Sequence, residues 1–164
     1  MRTILYLSLT ANGGFAQASE ARPIPREILA DFVGIASKVG NLIVGSRTYD
    51  MMRGLASRPG FSNIKLVVVS HARCESGVAT AASPQEALHF LEREGFDVGL
   101  VGGGAQLDSS FLSQGLVDEV YLNIEPSLSR GNLCALSDGF EGELRLTGTT
   151  KLSDSVIQLH YTRA

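Results

Sequence analysis

Short apolar runs rich in β-branched residues alternate with stretches of helical periodicity along most of this chain, and that alternation leaves few architectures open. Residues 2–9 (RTILYLSL), 41–45 (NLIVG) and 64–70 (IKLVVVS) are continuous apolar runs of strand length, with 77–80 and 97–101 (DVGLV) as shorter ones. A strand that is apolar on both faces must be covered on both faces, which is the pattern of a central parallel strand. The segments between them read as helices. Within residues 25–39, Ile28, Phe32, Ile35 and Val39 recur at helical spacing, Leu29 and Ala36 widen the stripe, and Gly40 stands where a helix C-terminal glycine belongs. Ser83-Pro84-Gln85-Glu86 opens a helix over 84–94, with Ser83 as cap, Pro84 in the first turn and Glu86 closing a capping box. Residues 104–114 place Leu107 and Phe111 one turn apart before Gly115, and a shorter helix starts near Ser46.

The pattern changes beyond residue 118. Residues 118–125 alternate Val120, Leu122 and Ile124 against Tyr121, Asn123 and Glu125, and residues 143–151 and 155–162 flank Leu152-Ser153-Asp154 as an antiparallel hairpin. The expectation is an α/β fold in a single domain over residues 1–164. About eight strands form a mixed, mostly parallel sheet flanked by helices, with the hairpin at one edge.

Composition narrows the function. The formal net charge of −3 gives no basic excess, which excludes a dedicated binder of nucleic acid or anionic membrane. No apolar run approaches the roughly 18 residues of a membrane span. The start, MRTILYLSLTANGG, has one Arg and no small-residue cleavage site, so it reads as a buried first strand rather than a signal peptide. Cys74 and Cys134 are lone, and His71, His89 and His160 are scattered. That pattern supplies neither a zinc site nor a disulfide framework, and it suits a reducing cytoplasm.

Three loops follow apolar strands and carry residue types that bind anions. After 41–45 comes Gly45-Ser46-Arg47-Thr48-Tyr49, with hydroxyls and N–H groups at a helix start and a guanidinium suited to a phosphate. After 64–70 comes Ser70-His71-Ala72-Arg73, a hydroxyl, an imidazole and a guanidinium that suit a phosphate monoester. After 97–101, Gly102-Gly103-Gly104-Ala105-Gln106-Leu107 runs into a helix, and glycines in succession are costly to order unless the backbone turns sharply or is approached closely. Each loop alone also suits a capped helix or a polar turn. Together, at the C-terminal ends of parallel strands, they favour a dinucleotide.

These motifs resemble a known family. Gly45-Ser46-Arg47-Thr48-Tyr49 is similar to the G-x-[RK]-T-[WY] motif of the dihydrofolate reductase-like fold, and Gly102 to Leu107 to its second glycine motif. Ser8-Leu9 with Asn12-Gly13 resembles the S-[VL]-D-G opening. Gly115-Leu116-Val117-Asp118-Glu119-Val120, then Pro126 and Gly131, is similar to the reductase domain of bacterial riboflavin biosynthesis. The resemblance implies a dihydrofolate reductase-like sheet and NADPH as cofactor. Gly45, Ser46, Arg47 and Thr48 with Gly102, Gly103, Gly104, Ala105, Gln106 and Leu107 would hold its pyrophosphate side, and Ser70, His71 and Arg73 would surround the 2′-phosphate. Leu9, Thr10 and Ala11 would lie in a mobile loop, running to Phe15, beside the nicotinamide. A homodimer acting on a small-molecule substrate is also implied.

The chain departs from the family in ways that bear on substrate. The acid that dihydrofolate reductases place four residues before a helix phenylalanine is Ile28 here, counted from Phe32, with Glu27 one position away and Asp31 elsewhere on the helix. Val101 stands where riboflavin-pathway reductases carry Glu, and Gly14-Phe15 where they carry Lys. The reading is an NADPH-dependent reductase that transfers hydride to a small heterocyclic or ribosylaminopyrimidine-like substrate, with Glu27, Asp31 or water as proton source and a substrate less polar than a ribityl phosphate. A dihydrofolate reductase and a non-catalytic nucleotide sensor are the alternatives.

Overall fold

A computed structural model describes residues 1–16, 22–56, 61, 63–71, 78–130 and 141–164. In chain order its elements are β1 (Arg2–Thr10), α1 (Arg26–Val39), β2 (Asn41–Gly45), α2 (Ser46–Ala56), β3 (Lys65–Val69), β4 (Ala79–Ala81), α3 (Pro84–Arg93), β5 (Val98–Val101), α4 (Ala105–Ser113), β6 (Glu119–Glu125), β7 (Leu144–Lys151) and β8 (Ile157–Arg163). The strands form an 8-stranded sheet in the order β4-β3-β2-β5-β1-β6-β8-β7. Neighbours from β4 to β6 are parallel, while β8 runs antiparallel to both β6 and β7. The mixed, mostly parallel sheet and the antiparallel edge expected from the sequence are both present.

Alternation along β1 divides the core. Leu5 and Leu7 join Val101 of β5, Leu91 of α3 and Phe111 of α4 on one face. Ile4 and Tyr6 join Leu42, Ile28, Phe32 and Met52 on the other, so α1 and α2 cover that side. The central strands are apolar on both faces because both faces carry helices. Gly40 closes α1 in the left-handed region (φ 78°), its N–H donating to the Ala36 carbonyl at 2.8 Å. Ser83 caps α3 through its Oγ, which accepts from the Glu86 N–H at 3.2 Å. The expected reciprocal bond lands one residue earlier, with Glu86 Oε2 accepting from the Ala82 N–H at 2.9 Å.

The helix at Ser46 is not short. It spans 11 residues against 10 for α3 and 9 for α4, because Tyr49 and Met52, one turn apart, bury against the sheet and extend it. Asn41 is fully buried at the start of β2. Its Nδ2 donates to the Val98 carbonyl at 2.7 Å and its Oδ1 accepts from the Leu100 N–H at 3.1 Å, joining β2 to β5 where their ladder is short.

Candidate active site

The loops after β2 and β5 meet at the C-terminal edge of the sheet. The Gly45 N–H donates to the Gly103 carbonyl, and the Gly102 N–H to the Ile43 carbonyl, each at 2.9 Å. Glycine is required at two of these positions for different reasons. Gly103 has φ 95°, where an L side chain is strained. A Cβ on Gly102 would stand 2.7 Å from Phe32 Cζ and 2.8 Å from Leu42 Cδ1. The Gly103–Gly104 peptide is cis. Gly104 caps α4 without a side chain, and its carbonyl accepts from the N–H groups of Leu107 and Asp108. The amides of Ala105 and Gln106, in the first turn, have no helical carbonyl to reach.

A cavity of about 670 Å³ runs from this cradle across the ends of the strands. Gly45, Ser46, Arg47, Thr48, His71 and the whole run from Gly102 to Leu107 line it. Folding therefore gathers two of the three sequence loops, and His71 of the third, around one space. Ser46, Arg47, His71 and Gln106 are exposed. Ser70 does not line the cavity; its N–H donates to the Ala81 carbonyl at 2.9 Å, while Arg73, Cys74, Gly131 and Cys134 lie outside the described residues.

The segment after β1 is tied rather than free. The Thr10 N–H donates to the Gly14 carbonyl, the Ala16 N–H to the Ser8 carbonyl and the Ala11 N–H to the Ser127 carbonyl, at 2.8, 2.9 and 2.8 Å. Asn12 exchanges bonds with the backbone of Ser129 in both directions, at 3.0 Å each. This fold-back directs Phe15 and Ala16 into the cavity, while Leu9, Thr10 and Ala11 stay out of its lining.

The acids expected on α1 are also outside the lining. Ser153 Oγ donates to Glu27 Oε1 at 2.8 Å. Bonding from its own backbone N–H and from Ser153 holds the Glu27 carboxyl below its ordinary range, which makes it a poor proton donor at neutral pH. Asp31 Oδ2 accepts from Tyr6 Oη at 2.9 Å and from Gln158 Nε2 at 2.7 Å. Gln158 Nε2 also donates to Asn123 Oδ1, and Asn123 Nδ2 to Ser8 Oγ, at 3.0 and 3.3 Å. Asp31 thus anchors a polar network beneath the cavity wall formed by Tyr6 and Ser8. Burial, with Asp31 alongside, pushes the Tyr6 phenol up and keeps it protonated. Asp118 and Glu119 hold the sheet together: Asp118 Oδ2 accepts from the Thr3 N–H at 2.8 Å, and Glu119 pairs with Arg2 and His160.

Two acids that sequence reading did not single out border the cavity. Glu125, at the end of β6, has an 8% exposed side chain, and its Oε2 meets Arg22 Nη2 at 2.7 Å. The same nitrogen donates to Ser127 Oγ at 2.6 Å. Burial raises the Glu125 carboxyl, and Arg22 offsets only part of that rise. Asp108, in the first turn of α4, is fully buried, and neither carboxyl oxygen has a hydrogen-bond partner among the described residues. Burial alone pushes it well above the usual aspartate range. The signal for Asp108 was present, since it precedes Phe111 and Leu112 by one helical turn and so shares their buried face.

Among solved structures, a pyrimidine reductase-like protein of Corynebacterium diphtheriae matches with a TM-score of 0.76 at 16% identity, over 99% of this chain and 92% of that one. The diaminohydroxyphosphoribosylaminopyrimidine deaminase/5-amino-6-(5-phosphoribosylamino)uracil reductase of Thermotoga maritima matches with 0.71 at 17%, over 99% of this chain and 56% of that one. The dihydrofolate reductase of Schistosoma mansoni matches with 0.75 at 15%, over 100% and 99%. These likenesses establish the dihydrofolate reductase-like fold. No curated protein matches by sequence. The model of the RibD C-terminal domain matches residues 7–157, from within β1 to the first residue of β8 and including all four helices, and the chain belongs to that reductase family.

Proposed function

We propose that this oxidoreductase uses NADPH to deliver hydride to a C=N or C=O carbon of a small nitrogen heterocycle or its ribosylamino derivative. The observation that carries this is the division of one cavity. One end has a glycine cradle, free helix amides, Arg47 and two hydroxyl residues, and the other is walled by Tyr6, Phe15, Ile24 and Ile28. The first end fits a pyrophosphate. Its backbone is open, a Cβ at Gly104 would already stand 3.4 Å from Thr48 Oγ1, and Arg47 has no partner among the described residues. The pyrimidine substrates in the names of the Corynebacterium and Thermotoga proteins give the substrate class.

NADPH supplies the two electrons of the reduction. The chain's own part is to orient and to exclude water. Phe15 and Ile28 shield the inner end, Ser8 presents a hydroxyl whose position the Asn123–Gln158–Asp31 network fixes, and Ser46, Arg47 and Thr48 hold the phosphates. The resemblance assigns Ser70, His71 and Arg73 to the 2′-phosphate, and of these His71 lines the cavity; Leu9, Thr10 and Ala11, assigned to the nicotinamide side, lie outside the lining, with Leu9 bridged to Phe15. With Glu27 outside the cavity lining and its carboxyl lowered, water reaching the cavity is the better proton source.

The reading extends to one reductase domain over residues 1–164 and to a homodimer in a reducing cytoplasm. Support for the dimer lies in β7, where Leu144 and Leu146 are 41% and 52% exposed on an edge strand, a pairing liability unless covered. Among the described residues, no helix is long and apolar enough to cross a membrane. The test is NADPH oxidation with a panel of aminopyrimidines, pteridines and folates, beside fluorescence titration of NADPH and NADH. Turnover of an aminopyrimidine with NADPH bound more tightly than NADH is expected; failure to bind either cofactor would refute the reading.

A further inference from the structure

Away from the glycine cradle, at the end of β6, the cavity is bordered by a carboxylate oxygen with no hydrogen-bond partner among the described residues. Glu125 Oε2 is taken by Arg22, whose Nη2 also holds Ser127. Oε1 accepts from no described residue, and unlike the two oxygens of Asp108 it is not sealed from solvent. Apolar Phe15, Ile24 and Ile28 line the same cavity, and on β1 the residue opposite Glu125 is Thr10, with Ser8 two positions back on the same face of the strand. An apolar slot with one fixed acceptor selects a flat ligand that offers donors along one edge. Arg22 neutralises Glu125, and the Glu27 carboxylate, near enough to raise the Glu125 carboxyl further, leaves this end without attraction for a phosphate.

We propose that Glu125 is the substrate-reading residue, its Oε1 receiving hydrogen bonds from the N–H edge of a flat nitrogen heterocycle whose phosphate, if it carries one, points away from β6. Arg22 is the positioning residue, fixing the carboxylate through Oε2 so that Oε1 faces the ligand. The inference rests on the reductase reading only in taking this slot as the substrate end. A phosphate-bearing sugar on the heterocycle would have to extend outward, consistent with the absence here of the Lys that follows the opening motif in riboflavin-pathway reductases.

The experiment is calorimetric titration of the full chain, with and without NADPH, using 5,6-diaminouracil, which has N–H donors, and 1,3-dimethyluracil, which has none. The parent should bind the diamino compound about tenfold or more tightly than the dimethyl one. In Glu125→Gln, Arg22 keeps the amide oxygen and the NH₂ group meets the donor edge, so the preference should vanish while NADPH affinity stays unchanged. Equal binding of the two pyrimidines by the parent, or a preference that survives in Glu125→Gln, overturns the assignment. If Glu125→Gln does not fold, the amino protons of isotopically labelled 5,6-diaminouracil on the parent give the readout: a downfield shift is expected, and no shift overturns it. Failure of the reductase reading looks different, because NADPH would not bind while the pyrimidine preference persisted.

Discussion

The backbone N–H of Gly45 donates to the carbonyl oxygen of Gly103 at 2.9 Å, so the loops after β2 and β5 form one surface. That surface separates two glycines by function. Gly102→Ala would drive its Cβ into Phe32 and Leu42, at 2.7 and 2.8 Å, and overpacking of this kind costs about 1–3 kcal/mol. Gly104 has an ordinary φ of −83°, and its Cβ would make only a 3.4 Å contact with Thr48 Oγ1. Gly104→Ala should therefore melt within a degree or two of the parent yet bind NADPH about tenfold more weakly, while Gly102→Ala melts several degrees lower. Thermal melts beside fluorescence titrations distinguish the two; equal effects of both variants on melting would defeat the distinction.

Arg47 is exposed and unpaired among the described residues, so removing it should leave folding within about 0.5 kcal/mol of the parent. A charge-assisted phosphate bond contributes about 1.5–3 kcal/mol, so Arg47→Ala should weaken NADPH binding roughly 10–150-fold. Added salt should weaken the parent's binding more than the variant's. Parallel salt curves would show that Arg47 does not meet the phosphates.

Much of the fold was legible because each central strand is a run apolar on both faces, and the helices announce themselves through spacing, Gly40 and the Ser83 cap. The glycine run beside the cavity was legible for a related reason, since Gly103 adopts φ 95° and Gly102 leaves no room for a Cβ. The polar residues at the other side of the cavity were not. Along β6, Tyr121, Asn123 and Glu125 alternate with apolar residues, which in sequence looks like a solvent face. In the structure α1, β8 and Arg22 cover that row and turn it into a buried polar network. Such partners are distant in sequence, and spacing along one strand cannot reveal them. Glu27 shows the converse, a helix acid near the expected position whose partner, Ser153, lies across the sheet in the β7–β8 turn.

Glu27→Gln should change turnover by less than about tenfold, against the 10²–10⁴-fold expected for loss of a general acid. The physical reason is that hydrogen bonds to the ionised form hold its carboxyl low, leaving it without a proton to give at neutral pH. The measurement is kcat and KM with an accepted aminopyrimidine. A drop of a hundredfold with NADPH affinity intact would place Glu27 back at the reacting atoms.

Asp108 gives stability a dependence on pH. Its carboxyl is fully buried, without a hydrogen-bond partner among the described residues, and burial raises its pKa well above the value it has in the unfolded chain. The folded protein then binds the Asp108 proton more tightly than the unfolded one. The stability associated with the protonated acid is fully present below the unfolded value of about 3.9, and it is lost as pH rises through the folded value. Asp108→Asn keeps the shape, removes the titration, and leaves an amide that is also unpartnered. At about pH 4 the variant should melt no higher than the parent. Toward about pH 8 the difference should move steadily in the variant's favour, because only the parent then has a charge to bury. Melting curves for both proteins across this range provide the check. A difference that stays constant with pH would mean that the Asp108 carboxyl titrates at its ordinary value and finds a partner in solution.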